Sequence, residues 1–275
     1  MTGQEHVSPD QAAVDAVAIQ QLGLGGVLLF GLPEHKDGEG SSAWADDGPV
    51  QLAVRAIRDA APGLPVITDV CLCQYTDHGA CGVLRGKQVD NDPTLKLLSK
   101  VALSHARAGA DAVAPSDMMD GRVFSIRSEL DNEGFDETAI FAYSSKFASA
   151  YYGPFRDAAG STPKAGLDRK GYQLDPANGR EAVRESVLDE AEGADVLMVK
   201  PAGPYLDVIA RVSDATTLPL AAYQVSGEFA MIHAAATSGA LDLRAAALES
   251  LVAIQRAGAD MVITYFARDV PGWLT

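Results

Sequence analysis

Three cysteines, Cys71, Cys73 and Cys81, lie within eleven residues of one another, and the chain has no others. An odd number of thiols cannot all pair internally, and so tight a cluster suggests a metal site rather than disulfides. Three thiolates on Zn²⁺ leave the fourth tetrahedral position open to water or substrate, as in catalytic sites. A closed structural site would need a fourth protein ligand, and His78 is the only candidate nearby. The alternative is three buried cysteines that bind no ion.

Two lysines stand at or just beyond the ends of apolar segments that have the composition of buried strands. Lys146 follows the segment 139–144, and Lys200 ends the segment 195–200. Burial and a second cation both lower the pKa of a lysine, and a neutral amine forms Schiff bases with carbonyl compounds. A single lysine in such a place is more often a salt-bridge partner. Two of them beside a cysteine cluster favour carbonyl chemistry.

Strands and helices that would position these side chains alternate along the chain. Capping residues and prolines predict helices beginning near Ser8, Gly48 and Asp92. Further helices are expected over 180–192, 204–214 and 243–257. A Gly-Ala-Asp turn occurs three times, each time ending a helix with glycine and starting an apolar strand. The seven predicted strands lie near 25–31, 65–71, 111–115, 139–144, 195–200, 219–225 and 260–266.

Alternating strands and helices imply a parallel sheet, and continuous apolar strands imply burial on both faces. The alternative is an open doubly wound sheet, which usually carries a glycine-rich phosphate turn after its first strand. No such turn is present. We therefore predict an α/β fold, a (β/α)₈ TIM barrel with seven of the eight strands, as one catalytic domain over residues 1–275. Its active site would lie at the C-terminal ends of the strands.

Composition excludes several classes of protein. Lysine and arginine number 22 against 37 acidic residues, a net charge of −15 that argues against binding to nucleic acid. Hydrophobic residues at 47% indicate a globular protein. No apolar run approaches the roughly 20 residues that span a bilayer, and no signal peptide is visible, so we expect a cytoplasmic protein without membrane partners.

Seven long segments resemble the porphobilinogen synthase (5-aminolevulinate dehydratase) family, and they occur in the order that the family has. They cover about nine-tenths of the chain. The matching segments are DVCLCQYTDHGACG (69–82), APSDMMDGRV (114–123), AYSSKFASAYYGPFRDAA (142–159), YQLDPAN (172–178), EGADVLMVKP (192–201), YQVSGEFAM (223–231) and RAGADMVITYFA (256–267).

This resemblance implies an enzyme of heme biosynthesis, a lyase that condenses two molecules of 5-aminolevulinate to porphobilinogen with loss of two waters. Lys146 and Lys200 correspond to the Schiff-base lysines, and the three cysteines to the Zn²⁺ ligands of the zinc-dependent branch. Substrate-binding positions of the family match Asp69, Ser116, Tyr152, Phe155, Arg156, Arg169, Gln173, Ser226 and Tyr265. Among these, the arginines and Gln173 match groups that hold one substrate carboxylate, and Ser226 and Tyr265 match those that hold the other.

The resemblance also implies an allosteric Mg²⁺ at Glu185, as in some family members, and a homo-oligomer, an octamer in the family. Segment 74–89 resembles the active-site lid, whose Arg85 and Lys87 would meet substrate carboxylates. The chain departs from the family at Ala80, where a histidine is usual. It also lacks the N-terminal arm and the first barrel strand. We expect coding sequence upstream of Met1, and we do not expect the octamer without the arm.

Two other functions are open. One is a different Schiff-base enzyme of the class I aldolase type, which needs one lysine and no metal. The other is an inactive truncated homologue that only binds or oligomerises. The missing strand would leave the strands 25–31 and 260–266 at a gap with unpaired backbone groups, so we expect the chain by itself to be destabilised.

Overall fold

A computed structural model describes residues 1–274. Seven strands form one curled, entirely parallel sheet, and a two-stranded hairpin forms a second, small sheet. The order in the large sheet is β1-β2-β5-β6-β7-β8-β9, and the hairpin is β3-β4. The strands are β1 (Val27–Leu29), β2 (Val66–Val70), β3 (Leu84–Arg85), β4 (Gln88–Val89), β5 (Ala112–Pro115), β6 (Ala139–Lys146), β7 (Val196–Lys200), β8 (Leu220–Tyr223) and β9 (Met261–Ile263).

Helices cover the outside of the sheet. Ser8 caps the first of them by accepting a hydrogen bond from the Gln11 backbone, as its sequence predicts. None of the helices within residues 1–274 has the length and apolar composition needed to cross a bilayer. They are α1 (Pro9–Gln21), α2 (Pro49–Ala60), α3 (Asn91–Ala108), α4 (Arg122–Asn132), α5 (Gly153–Ala158), α6 (Gly179–Ala191), α7 (Leu206–Ala215), α8 (Ser226–Thr237), α9 (Leu243–Arg256) and α10 (Val270–Leu274).

The predicted α/β barrel with seven strands is confirmed, and β1 and β9 are the two open edges of the sheet. Four helices, α4, α5, α8 and α10, were not expected. Helix α8 follows directly on β8 and has glycine at its second position, so no turn signal separates the two elements in the sequence. The segment 74–89 is also more regular than a loop, because it contains the β3–β4 hairpin.

Side chains alternate between two apolar layers along each strand, as the period of two requires. One layer fills the inside of the curled sheet, with Tyr143, Met198 and Tyr223 among its buried members. The other layer lies between the sheet and the helices, with Ile140 and Leu197 among its members. This alternation decides which strand residues reach the cavity at the C-terminal end.

The repeated Gly-Ala-Asp turn does more than end a helix. Its glycines adopt the left-handed backbone conformation, as Gly109 does with a φ of 103°. Its aspartates each accept a hydrogen bond from the backbone N–H near the start of a neighbouring strand. The N–H to carboxylate distances are 2.7 Å from Val66 to Asp111, 2.7 Å from Ile140 to Asp195 and 2.9 Å from Leu220 to Asp260. The repeat therefore fixes strand register at the bottom of the sheet.

Candidate active site

Lys146 and Lys200 are the last residues of β6 and β7, and they are paired with each other in the parallel register. Their exposed fractions are only 6% and 7%. The Lys146 ammonium donates a hydrogen bond to the Ser116 carbonyl at the end of β5. The Lys200 Nζ lies 4.0 Å from the ring centroid of Tyr223 and 5.0 Å from that of Tyr143. Two amines thus share one buried, largely aromatic environment.

Burial and, to a smaller extent, the neighbouring charge of Lys146 together lower the pKa of Lys200 to about 7, although the charge of Asp69 opposes both effects. With this pKa, Lys200 is a neutral amine in about half of the protein molecules at pH 7, and the neutral amine is the nucleophilic form. Burial also raises the pKa of Asp69, although the charges of the two lysines oppose that change. A buried carboxyl group therefore faces two amines, and protons can be exchanged among them.

A cavity lies over the ends of the strands. Ten of the eleven predicted catalytic and substrate-binding residues line it, together with Cys73: Asp69, Ser116, Lys146, Tyr152, Phe155, Arg156, Arg169, Lys200, Ser226 and Tyr265. The sequence analysis missed four further lining residues: Phe30, Gln74, Tyr223 and Val225. Phe30 follows β1, and Tyr223 and Val225 lie two residues apart at the end of β8, so the strand-end rule would have found three of them.

One side of the cavity is suited to a carboxylate. Within residues 1–274, no hydrogen-bond partner exists for the buried Nε atoms of Arg156 and Arg169 or for either amide atom of Gln173. Arg169 is held in place through its Nη2, which donates to the carbonyl oxygens of Gly79 and Ser161. Buried unpaired donors are costly unless a ligand satisfies them. Gln173 does not line the cavity itself but is buried beside the segment that carries Arg169.

Another part of the cavity lining presents the hydroxyl groups of Ser226 and Tyr265. The Ser226 Oγ accepts a hydrogen bond of 3.1 Å from the Phe155 backbone and donates one of 3.3 Å to the Tyr151 carbonyl. Gly227 makes this approach of α8 to the Tyr151 backbone feasible, because a Cβ there would lie 2.5 Å from the Tyr151 carbonyl oxygen. Burial raises the pKa of the Tyr265 hydroxyl, which keeps it a neutral donor.

Aromatic side chains form a further part of the cavity wall. The Tyr152 hydroxyl donates a hydrogen bond of 3.1 Å to the Lys200 carbonyl. The Tyr152 and Phe155 ring centroids lie 5.5 Å and 5.7 Å from the Lys200 Nζ. The Arg156 guanidinium lies 5.4 Å from the centroid of the Tyr152 ring. This apolar surrounding is the cause of the desolvation that lowers the pKa of Lys200.

The three cysteines form a group that can hold a metal ion. Their Sγ atoms all lie within 4.8 Å of one another, and each residue is buried and free of disulfide bonds. Hydrogen bonds from the Cys71 and Cys73 thiols, together with the charge of Arg169, hold the pKa of the Cys81 thiol well below its usual value. Soft thiolate ligands at this spacing suit a tetrahedral ion.

His78 does not complete this group. Its Nε2 lies 3.1 Å from the Gly38 carbonyl oxygen, and its Nδ1 accepts a hydrogen bond of 3.1 Å from the Ala80 backbone. Across residues 1–274, the three cysteines are the only cluster of histidine, cysteine and carboxylate side chains with metal-ligating geometry. If the three thiols held a tetrahedral metal ion, one coordination position would be left open beside the cavity, which Cys73 lines.

Like Gln173, three further residues assigned by resemblance do not line the cavity. Glu185, on α6, accepts a hydrogen bond of 3.0 Å from Arg184, and its role in binding Mg²⁺ stays a prediction. Arg85, in the β3–β4 hairpin, is ion-paired with Asp90 and largely exposed. Lys87, at the same hairpin, is also exposed. Contact of this hairpin with substrate stays a prediction as well.

The fold and the site together define an enzyme class: a parallel α/β barrel with two paired, buried lysines and a cluster of three thiols that could hold a metal ion at its C-terminal mouth. The family model for delta-aminolevulinic acid dehydratase matches residues 1–273. The Synechococcus elongatus enzyme of that name is 52% identical over 278 residues, which cover 100% of this chain and 85% of the relative. The Escherichia coli enzyme is 52% identical over 98% of this chain and 83% of its own length. The chain therefore belongs to the delta-aminolevulinic acid dehydratase family.

A solved structure agrees with this assignment. The Toxoplasma gondii delta-aminolevulinic acid dehydratase, in complex with the reaction product porphobilinogen, superimposes with a TM-score of 0.96. It is 44% identical in sequence, and the match covers 98% of this chain and 78% of the parasite enzyme.

Proposed function

We propose that this chain is a porphobilinogen synthase that condenses two molecules of 5-aminolevulinate into porphobilinogen with loss of two waters. The observation that carries the proposal is the pairing of Lys146 with Lys200 in one buried cavity whose wall includes Cys73. An aldolase of the Schiff-base type needs one such lysine and no thiolate cluster. Two amines match a reaction that joins two ketone substrates.

Each lysine would attack the ketone carbon of one substrate, and a water leaves as each imine forms. These two condensations account for both waters of the overall reaction. The carbon–carbon and carbon–nitrogen bonds of the new ring then replace the bonds to the two lysines, which leave as free amines. Asp69, buried beside both amines, would accept and return protons during these steps.

The carboxylates of the two substrates would bind in different parts of the cavity. Arg156, Arg169 and Gln173 offer buried donors that lack partners within residues 1–274, which suits a bidentate carboxylate. Ser226 and Tyr265 offer hydroxyl groups to the second carboxylate. Two anchored substrates gain from proximity, which in favourable geometries is worth on the order of 7–11 kcal/mol. Tyr152, Phe155 and Ser116 would complete the walls and orient the reacting atoms.

Cys71, Cys73 and Cys81 would hold Zn²⁺, since three buried thiols within 4.8 Å of one another fit its tetrahedral preference. When bound, this ion supplies an open coordination position that can bind the substrate amine or an activated water. Hydrogen bonds from Cys71 and Cys73 and the positive charge of Arg169 favour the thiolate form of Cys81, whereas the pKa values of Cys71 and Cys73 are raised. We further propose that residues 1–275 act as one catalytic domain within a homo-oligomer.

Reductive trapping tests the lysine assignment. The protein is incubated with 5-aminolevulinate and sodium borohydride, and the modified peptides are mapped by mass spectrometry. We expect adducts on Lys146 and Lys200, and loss of turnover in Lys200→Ala and in Lys146→Ala. Lys100→Ala is the matched control, since this lysine is exposed and lies over the Trp44 ring. Normal turnover in Lys200→Ala would refute the assignment. An adduct on only one lysine, together with activity that does not depend on a metal ion, would favour an enzyme of the aldolase type.

A further inference from the structure

Tyr143 and Lys146 both face the cavity side of β6, although they are three residues apart. The Lys146 Nζ lies 5.5 Å from the centroid of the Tyr143 ring. In a regular strand, residues separated by an odd number point to opposite faces. If β6 were regular, Lys146 would point toward the helices whenever Tyr143 points into the barrel. Something in β6 therefore reverses the alternation between these two residues.

That feature is an irregularity in the pairing of β6 with β7. Ala142 is paired with Leu197, and Ser145 is paired with Val199, so three steps along β6 match two steps along β7. The extra residue forms a bulge at Tyr143–Ser144, which we call the β6 bulge. Ser145 accordingly points outward, where its hydroxyl lies 2.9 Å from the Ala182 carbonyl oxygen on α6. Bulges commonly re-aim a side chain next to an active site.

A buried arginine holds the β6 bulge from the side of β5. The β5–β6 ladder contains only the pairs Ala112–Ala139 and Val113–Ile140, so it ends before the bulge. The Arg122 Nη2 donates a hydrogen bond of 3.2 Å to the Tyr143 carbonyl, and its Nη1 donates one of 3.4 Å to the Met119 carbonyl. The guanidinium thus bonds to backbone on both sides of the place where the ladder stops.

Asp189 on α6 fixes the orientation of this guanidinium. Its two carboxylate oxygens accept hydrogen bonds of 3.1 Å and 2.9 Å from Arg122, in the bidentate geometry. Both residues are only 3% exposed. A buried ion pair by itself usually adds little to the stability of a protein, because apolar residues of similar volume often replace it without loss of stability. Its contact with an unpaired strand carbonyl indicates a role in fixing geometry.

We propose that Arg122, oriented by Asp189, is a positioning residue that aims Lys146 into the cavity by holding the β6 bulge. The inference rests on the proposed function in that Lys146 must act as an amine nucleophile. Arg122 does not line the cavity. It bonds to the backbone three residues before Lys146 along β6, and at Met119 to the same turn whose Ser116 carbonyl accepts a hydrogen bond from the Lys146 ammonium.

The test compares the two lysines within one protein. The double variant Arg122→Met/Asp189→Leu removes both charges of the ion pair and replaces them with apolar side chains of similar volume. Borohydride trapping with 5-aminolevulinate should then give an adduct on Lys146 reduced at least about tenfold relative to that on Lys200, because a small misplacement of a reacting group is costly. We expect kcat to fall with little change in KM, while the pH at which the Lys200 adduct is half-formed stays as in the wild type.

Arg127→Met is the matched control. Arg127 also lies on α4, pairs with Asp131, and donates to two backbone carbonyls, those of Thr138 and Phe135 at 2.8 Å and 2.9 Å. These carbonyls precede β6, so this variant should leave the ratio of the two adducts unchanged.

A wild-type adduct ratio in the folded double variant would overturn the proposal. If the double variant does not fold, the ratio of the two adducts is measured in Arg122→Lys, and the same reduction of the Lys146 adduct is expected. An amine cannot reproduce both the bidentate pair with Asp189 and the hydrogen bond to the Tyr143 carbonyl. If the wild type forms no adduct on either lysine, the proposed function fails instead. The positioning role is then measured without substrate, by reductive methylation with formaldehyde and cyanoborohydride. Equal labelling of Lys146 in variant and wild type would refute it.

Discussion

Replacing the nucleophilic lysine should make the protein more stable while abolishing its activity. Lys200 lies at the end of β7 with an exposed fraction of 7%, and burial lowers its pKa from the usual 10.5 to about 7. The folded state therefore binds this proton far more weakly than the unfolded chain does. In Lys200→Met the side chain keeps a similar length but has no proton to lose. Wild-type stability is therefore reduced at any pH at which the unfolded chain holds this proton. We expect Lys200→Met not to show this reduction.

The magnitude follows from the two pKa values. At 1.36 kcal/mol for each pH unit, the difference between 10.5 and about 7 corresponds to at most ~5 kcal/mol of lost stability in the wild type. Because the folded pKa lies below the unfolded one, the unfolded state binds more protons between these values, and wild-type stability rises with pH there. The cost is fully present below pH 7 and disappears as the pH approaches 10.5. The advantage of Lys200→Met should therefore be largest at pH 6 and small near pH 10.

Thermal and urea unfolding of both proteins at pH 6, 8 and 10 measure this effect. At about 2–4 °C per kcal/mol for a chain of this size, the melting temperature at pH 6 should rise by up to roughly 10–20 °C. Lys100→Met is the control, because Lys100 is exposed in the folded protein, and its replacement should give no pH-dependent gain in stability. The reasoning is refuted if Lys200→Met is no more stable than the wild type at pH 6, or if its gain is the same at pH 10.

Three further predictions concern the metal site, the carboxylate site and the open edge of the sheet. Cys81→Ser should lower the bound zinc measured by atomic absorption, because a hydroxyl is a poorer ligand than thiolate; equal zinc content would exclude the three-thiolate site. Arg169→Met should raise KM for 5-aminolevulinate more than about tenfold by removing a charged donor to a carboxylate, and an unchanged KM would refute that role. The 2.7 Å ion pair between Arg268 and Asp15 joins the segment after β9, which is one open edge of the sheet, to α1, and it is partly exposed. Arg268→Gln should therefore lower the free energy of unfolding in urea by only about 0–1 kcal/mol. A larger loss would contradict this and would mean that the ion pair is important for holding the two segments together.

Much of the fold could be predicted from the sequence, because each element carries its own local signal. The apolar strands, the cap at Ser8 and the left-handed glycine of each Gly-Ala-Asp turn are local features, and the structure has them where they were expected. Helix α8 was not predicted, because it follows β8 without a turn and its apolar residues do not form a single stripe. The strand-end rule likewise placed Asp69, Ser116 and both lysines at one mouth, since parallel strands all end on the same side.

The sequence could not decide which way each side chain points at that mouth. A strict period of two would have sent Lys146 to the helix side if Tyr143 faces the cavity, and only the β6 bulge brings both to the same side. The bulge depends on Arg122 and Asp189, which come from two different helices. Similarly, the thiols of Cys71 and Cys81 meet because the chain between them folds back over the cavity. The types of the reacting groups are thus local properties of the chain. Their orientation and their pKa values depend on burial and on charges from distant segments, which come together only when the chain has folded into the curled sheet.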